Sequence, residues 1–208
     1  MKTKQEFFQM LSKYELDVIN FLLNNPNRLI LIRGDKFIGK TTIIETIFNL
    51  TKDIPIIYHT GCDPEKRKIA FRFFKRNLAL YEEKKCLVVL DEFYYINACN
   101  YFRKHKNFKV LLFVNSDNLT IDGFKHLNLV DVYEDYKKHF FKNHDRDWKN
   151  KNIRELVYMF DNPNYAIKAF EKKQIDLEKL RHLSNFTQTK IKENNKIHIE
   201  TITFYMEN

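Results

Sequence analysis

Residues 28–42, RLILIRGDKFIGKTT, decide how this chain is read. Leu29, Ile30, Leu31 and Ile32 form an uninterrupted apolar run, the pattern of a short strand buried on both faces. The loop that follows, Gly34-Asp35-Lys36-Phe37-Ile38-Gly39-Lys40-Thr41, fits G-x-x-x-x-G-K-[ST]. Residues 41–50 then read as a helix. Gly34 and Gly39 allow backbone angles that other residues resist, so successive N–H groups can turn toward an anion. The helix start adds a favourable dipole end. In this arrangement residues 34–42, Thr42 included, cradle phosphates. Lys40 reaches the outer phosphates, and the Thr41 hydroxyl holds Mg²⁺. An ordinary glycine turn would explain the loop alone, but the strand before it and the helix after it are the context a phosphate loop requires. The reading is ATP binding with Mg²⁺.

Working outward, residues 86–92, CLVVLDE, form a second buried strand ending in two acids. Beside a phosphate loop, Asp91 would complete the Mg²⁺ shell and Glu92 would polarise an attacking water. Residues 109–114, KVLLFV, make a third such run and end in Asn115-Ser116, where a polar residue can sit near the γ-phosphate. Apolar runs at 54–58 and 129–133 complete a set of five. Strands alternating with helices predict a parallel sheet covered on both faces, with ligands at the carboxyl ends of the strands.

Residues 5–23 have helical spacing, with Phe7, Leu11, Tyr14, Val18 and Phe21 on one face. Asp63-Pro64-Glu65 reads as a helix start. The helix it opens, to about residue 81, carries Lys66, Arg67, Lys68, Arg72, Lys75 and Arg76. That set is either a nucleic-acid stripe or a solvated outer face. The 208 residues carry a net charge of +9, which favours acidic partners, nucleic acid first and DNA among them. At 44% hydrophobic the chain has material for a packed core. Cys62, Cys86 and Cys99 have no paired spacing and suggest reduced thiols in a cytoplasmic setting. No metalloprotease motif, signal peptide or membrane-spanning run is present, so zinc chemistry and a membrane partner are not expected. After residue 134 the texture turns helical. The final stretch, KIHIETITFYMEN, alternates like a strand at Ile197, Ile199, Thr201 and Thr203, whereas Ile199, Ile202 and Met206 fit a helix.

A phosphate loop, a strand ending Asp91-Glu92 and a next strand ending Asn115 resemble, in that order, the AAA+ ATPases and their signalling-ATPase relatives. The resemblance implies five parallel strands in the order 5-1-4-3-2, with an ATPase core over residues 1–134 and a small helical lid over 135–208. It maps the first sensor asparagine onto Asn115, a catalytic role onto Lys40, Glu92 and Asn115, and the second sensor helix onto residues 161–167. Residues 197–202, IHIETI, look like the opening of the last lid helix, which favours helix for the tail. Two departures stand out. Residues 123–126 carry no arginine where many members place a finger, and Asn164 stands where the lid often has an arginine. Arg103 and Arg146 lie elsewhere. The functions implied are an ATPase acting on DNA (a loader, an initiator, or a transposition or packaging factor) or a nucleotide-gated interaction switch with little hydrolysis. A protein partner or self-assembly would complete the site. A small-molecule kinase fits less well, because Glu92 suits a water nucleophile.

Overall fold

The computed structural model describes residues 13–34, 39–61, 64–116, 118–129, 131, 186–194 and 196–203. Helix α1 (Lys13–Asn24) leads into β1 (Leu29–Arg33), α2 (Lys40–Leu50) and β2 (Ile56–Thr60). A 3-10 turn (Pro64–Lys66) opens α3 (Arg67–Ala79), followed by β3 (Cys86–Asp91), α4 (Ile96–Lys104), β4 (Phe108–Val114) and β5 (Lys125–Asn128). A hairpin of β6 (Phe186–Glu193) and β7 (Lys196–Thr203) closes the described chain.

The seven strands form one sheet in the order β5-β1-β4-β3-β2-β6-β7. The first five pair in parallel, and the hairpin joins β2 antiparallel. Along β1, Ile30 and Ile32 face one side with Ile43, Ile44 and Ile47 of α2 and Val18, Ile19 and Leu22 of α1. Leu29 and Leu31 face the other side, with Phe71, Phe74 and Leu78 of α3 and Ala98 and Phe102 of α4. This two-sided burial is why β1, β3 and β4 read as unbroken apolar runs. Each fully buried aliphatic side chain contributes about 1.5–3 kcal/mol.

Four expectations change. The sheet has seven strands and is mixed, where five parallel strands were expected. Residues 197–202 belong to β7 and not to a lid helix. Their period-two alternation is the true signal, and Asn194 turns the hairpin at φ 49°, a conformation asparagine tolerates. The fifth strand is Lys125–Asn128, four residues before the apolar run at 129–133. As an edge strand it needs no unbroken apolar sequence, and Leu129 still enters the core just beyond it. Strand β2 starts at Ile56 rather than residue 54. Pro55 has no N–H to donate, and only its carbonyl takes part, accepting from the Leu87 N–H at 2.9 Å. The sequence reading also passed over α4. The boundary at residue 134/135 and the lid helices at 135–185, with Arg146 and residues 161–167, lie outside the described residues.

Candidate functional site

Four loops leave the carboxyl ends of β1, β2, β3 and β4 on one rim of the sheet. Gly39 sits at φ 98° at the start of α2, a left-handed turn that suits glycine and aims the chain into the helix. The Ile43 N–H donates to the Gly39 carbonyl at 3.0 Å and closes the first turn. Residues 35–38 lie outside those described. Thr41 and Thr42 occupy the first turn of α2, and Thr41 is exposed there.

Lys40 is buried. A buried ammonium requires acceptors, and the rim provides them. Its Nζ donates to the Gly34 carbonyl at 2.6 Å and to Asn115 Oδ1. The Gly34 N–H in turn donates to the Val114 carbonyl at 3.2 Å, which ties the loop after β1 to the end of β4. The positive charge of Lys40 also reaches Asp91 at the end of β3 and Glu92 just beyond it, where it favours the ionised form of both.

Burial works the other way and dominates. It pushes the Asp91 carboxyl up from the ordinary range, against a hydrogen bond from Tyr58 and the charge of Lys40. The Tyr58 hydroxyl donates to Asp91 Oδ2 at 3.1 Å. Burial and the neighbouring Asp91 charge likewise push the phenol of Tyr58 up. Glu92 is also raised, first by burial, against the Asn115 N–H, Lys40 and Arg67. That N–H donates to Glu92 Oε2 at 3.0 Å. Glu92 Oε1 is buried and accepts no hydrogen bond among the described residues.

The Glu92 backbone is strained. Its φ is 56°, a left-handed conformation that costs a non-glycine residue about 1 kcal/mol or more. Its N–H donates to the Phe113 carbonyl at 2.9 Å, and Arg67 Nη2 donates to its carbonyl at 3.4 Å. Gly61 presses against it. A Cβ on Gly61 would stand 2.6 Å from the Glu92 carbonyl carbon, so no larger residue fits without moving the acid. The strand end is thus held from three sides in a conformation it would not adopt alone.

Lys40, Asp91, Glu92 and Asn115, separate in sequence, therefore meet on one rim, with Gly34, Gly39, Thr41 and Thr42 beside them. Sequence reasoning missed Tyr58, Gly61 and Arg67, whose roles depend on which strand lies next to which. Arg67 was read only as part of a basic stripe, yet it donates to the Tyr94 carbonyl at 2.8 Å and braces the Glu92 turn. Arg103 lies on the opposite rim, where its Nε donates to the Asp122 carbonyl at 3.1 Å just before β5. It does not belong to this cluster.

No described helix is long and apolar enough to cross a membrane. No protein-family model matches the chain, and no curated protein sequence matches it. Among solved structures, that of C. elegans PCH-2 is similar over 68% of this chain and 51% of that chain, at 16% identity and a TM-score of 0.36. This chain therefore spans about half the length of that protein. A likeness of that degree transfers no activity. What the structure establishes is an α/β protein whose mixed, mostly parallel seven-stranded sheet, flanked by helices, gathers a lysine, two acids and an asparagine at the ends of its parallel strands.

Proposed function

We propose that the chain is a P-loop ATPase of the AAA+ type, acting in DNA metabolism. The observation that carries this reading is the convergence of Lys40, Asp91, Glu92 and Asn115 where β1, β3 and β4 end, together with a buried Glu92 oxygen that has no described partner. An orphaned buried carboxylate oxygen costs free energy unless something polar arrives to use it. A water aligned on a γ-phosphate is such a group. The donor set fits Mg²⁺ as well. Asp91 and the Thr41 hydroxyl are hard oxygen ligands, and Tyr58 occupies only one oxygen of Asp91. Bound there, Mg²⁺ would neutralise charge on the phosphate oxygens.

The chain's own residues have these roles. Lys40 exchanges the Gly34 carbonyl and Asn115 for phosphate oxygens. Asn115 fixes the Glu92 carboxylate through its backbone N–H and, once released by Lys40, can turn its side chain to the γ-phosphate. Glu92 accepts the proton of the attacking water, and its burial makes it a stronger base than a free carboxylate. The basic α3 supports the DNA assignment.

Lys40→Ala tests the binding half. Removing a charge-assisted phosphate contact in a partly desolvated site should cost about 2–3 kcal/mol, so ATP affinity by calorimetry should fall roughly thirty- to a hundredfold. Unchanged affinity would refute the role. A second expectation concerns rate. An arginine aimed at the γ-phosphate is worth ~10³–10⁵ in turnover. In sequence, residues 123–126 hold the place where such a finger is expected, and the cation there, Lys125, lacks the planar fork of arginine. Steady-state phosphate release from dilute protein should run well below the ~10 s⁻¹ of a typical enzyme and rise with protein concentration or a partner. Fast release at every concentration would show a site complete in itself. This outcome also separates the ATPase from a switch with little hydrolysis, which would stay slow under all conditions.

A further inference from the structure

On the sheet face opposite α1 and α2, helices α3 and α4 leave a cleft of about 290 Å³ between them. Phe71 and Tyr101 form its floor, and both are buried. Lys75 of α3 and Lys104 of α4 stand exposed on its two sides. His105 closes one end, its ring stacked on Tyr101 at 4.0 Å. Lys75 Nζ lies over the same Tyr101 ring, 5.4 Å from its centroid. Beyond the cleft, Lys68, Arg72 and Arg76 continue the positive charge along α3, and Lys106 continues it past α4. All four are exposed.

Two ion pairs lie near this part of the molecule, Lys84 with Glu193 and His105 with Glu82. None of the six cations around the cleft takes part in either. Glu82, the acid that contacts Tyr101 and His105, is already engaged. It accepts the Tyr101 hydroxyl at 2.5 Å and lies 3.8 Å from His105 Nδ1. Two amides complete the lining. Asn97 Nδ2 donates to the Tyr95 hydroxyl at 2.9 Å, which leaves its Oδ1 as an acceptor. Asn100 Oδ1 accepts from Arg103 at 2.6 Å, which leaves its Nδ2 as a donor. A clustered positive field with one donor and one acceptor in the lining matches a polyanion that carries flat, hydrogen-bonding groups.

We infer that the α3–α4 cleft is a binding site for single-stranded nucleic acid, seating one unpaired base between Asn97 and Asn100 while Lys75 and Lys104 hold the flanking phosphates. The inference deepens the DNA part of the proposed function and does not depend on the ATP site. The single-strand assignment follows from size. A cleft at the lower end of the range for small-ligand sites takes one base and has no room for a paired duplex. Strands bound this way track a basic groove and read little sequence.

The test is fluorescence anisotropy with a labelled oligothymidylate of about 16 nucleotides, titrated between about 50 and 200 mM salt. A duplex of the same length and fluorescent ATP binding are measured on the same protein. Wild type should bind the single strand more tightly than the duplex and weaken steeply with salt. Lys75→Glu with Lys104→Glu should lose tenfold or more, on the order expected for reversing two phosphate contacts, and flatten the salt slope by about 1.4. Asn100→Ala, which keeps both lysines, should weaken binding with no change in slope. An unchanged melting temperature in all variants would show that the fold is intact, whether or not ATP binds. No binding at low salt, equal or tighter binding of the duplex, or an unchanged double variant would each overturn the inference. Loss of ATP binding in Lys40→Ala with single-strand binding intact would leave it standing, so the two readings can fail separately.

Discussion

Glu92→Gln is expected to slow ATP hydrolysis by about 10²- to 10⁴-fold, the range over which a positioned general base acts, while ATP affinity stays within a few-fold of wild type. The amide is nearly isosteric and can keep an oxygen on the Asn115 N–H, so the loop after β4 has no reason to move. What is lost is the basic oxygen at the position of Oε1. Stability supplies an independent check. Burial raises the pKa of Glu92 in the folded state. A group raised in this way contributes stability below its unfolded pKa and loses it as pH rises through the folded value. Above that folded value the charged acid is therefore a burden on the fold. A neutral amide should leave the melting temperature unchanged or higher, even as hydrolysis fails. Single-turnover phosphate release checks the first part and calorimetry the second. Full-rate hydrolysis in the variant would remove Glu92 from the mechanism.

The second large effect is a loss of stability in acid that traces to His59. This imidazole is 1% exposed, stacked on Phe74 at 4.2 Å and set edge-on to Phe93 at 4.5 Å. Its Nδ1 lies 2.8 Å from Thr189 Oγ1. Burial pushes its pKa down from 6.5 to about 3. The sign follows from proton counts. Between pH 6.5 and 3 the unfolded chain holds a proton on this ring and the folded chain does not, so stability falls as pH falls. At about 1.4 kcal/mol per pH unit, the total loss approaches about 5 kcal/mol, a large share of a typical domain's stability. Asp91 and Glu92 act in the opposite sense, because their raised carboxyls take up protons more readily in the folded state. Urea midpoints measured from pH 7 to 4 should fall in wild type and fall less in His59→Gln. Should that variant not fold, the ring can be followed directly by NMR. A His59 resonance titrating near pH 6.5 in the folded protein would overturn the argument.

The parts of this molecule that were legible in its sequence are those where chemistry restricts residue choice. The run from β1 into α2 and the acids ending β3 need particular residues at particular spacings, and the structure places them together. The buried strands β3 and β4 were legible because burial on both faces leaves only apolar side chains. Other parts were not. Strand β5 sits at an edge, where Lys125 and His126 are as acceptable as valine. Helix α4 buries Ala98, Cys99, Tyr101 and Phe102, but its nine residues give too few turns for a periodic signal. At 197–202 the alternation pointed to a strand, and a family resemblance outweighed it wrongly. The supports of the site were illegible for a geometric reason. Tyr58 meets Asp91, and Gly61 meets Glu92, only because β2 pairs with β3 in a register that places Thr60 opposite Asp91.

The hairpin that joins β2 also sets a schedule. The contact between His59 and Thr189 spans 130 residues. At roughly 5–20 residues per second, a ribosome needs on the order of 6–26 s to make the partner after the histidine has emerged. During that interval β2 is an open edge with unpaired amides, the kind of surface that recruits foreign strands. His59 does not yet have the Thr189 hydroxyl beside it. The nascent chain is thus most vulnerable after its five parallel strands exist and before its last two do. A chain stalled within that gap should aggregate or hold a chaperone, although its glycine-bearing loop, its acids and its asparagine have all been made.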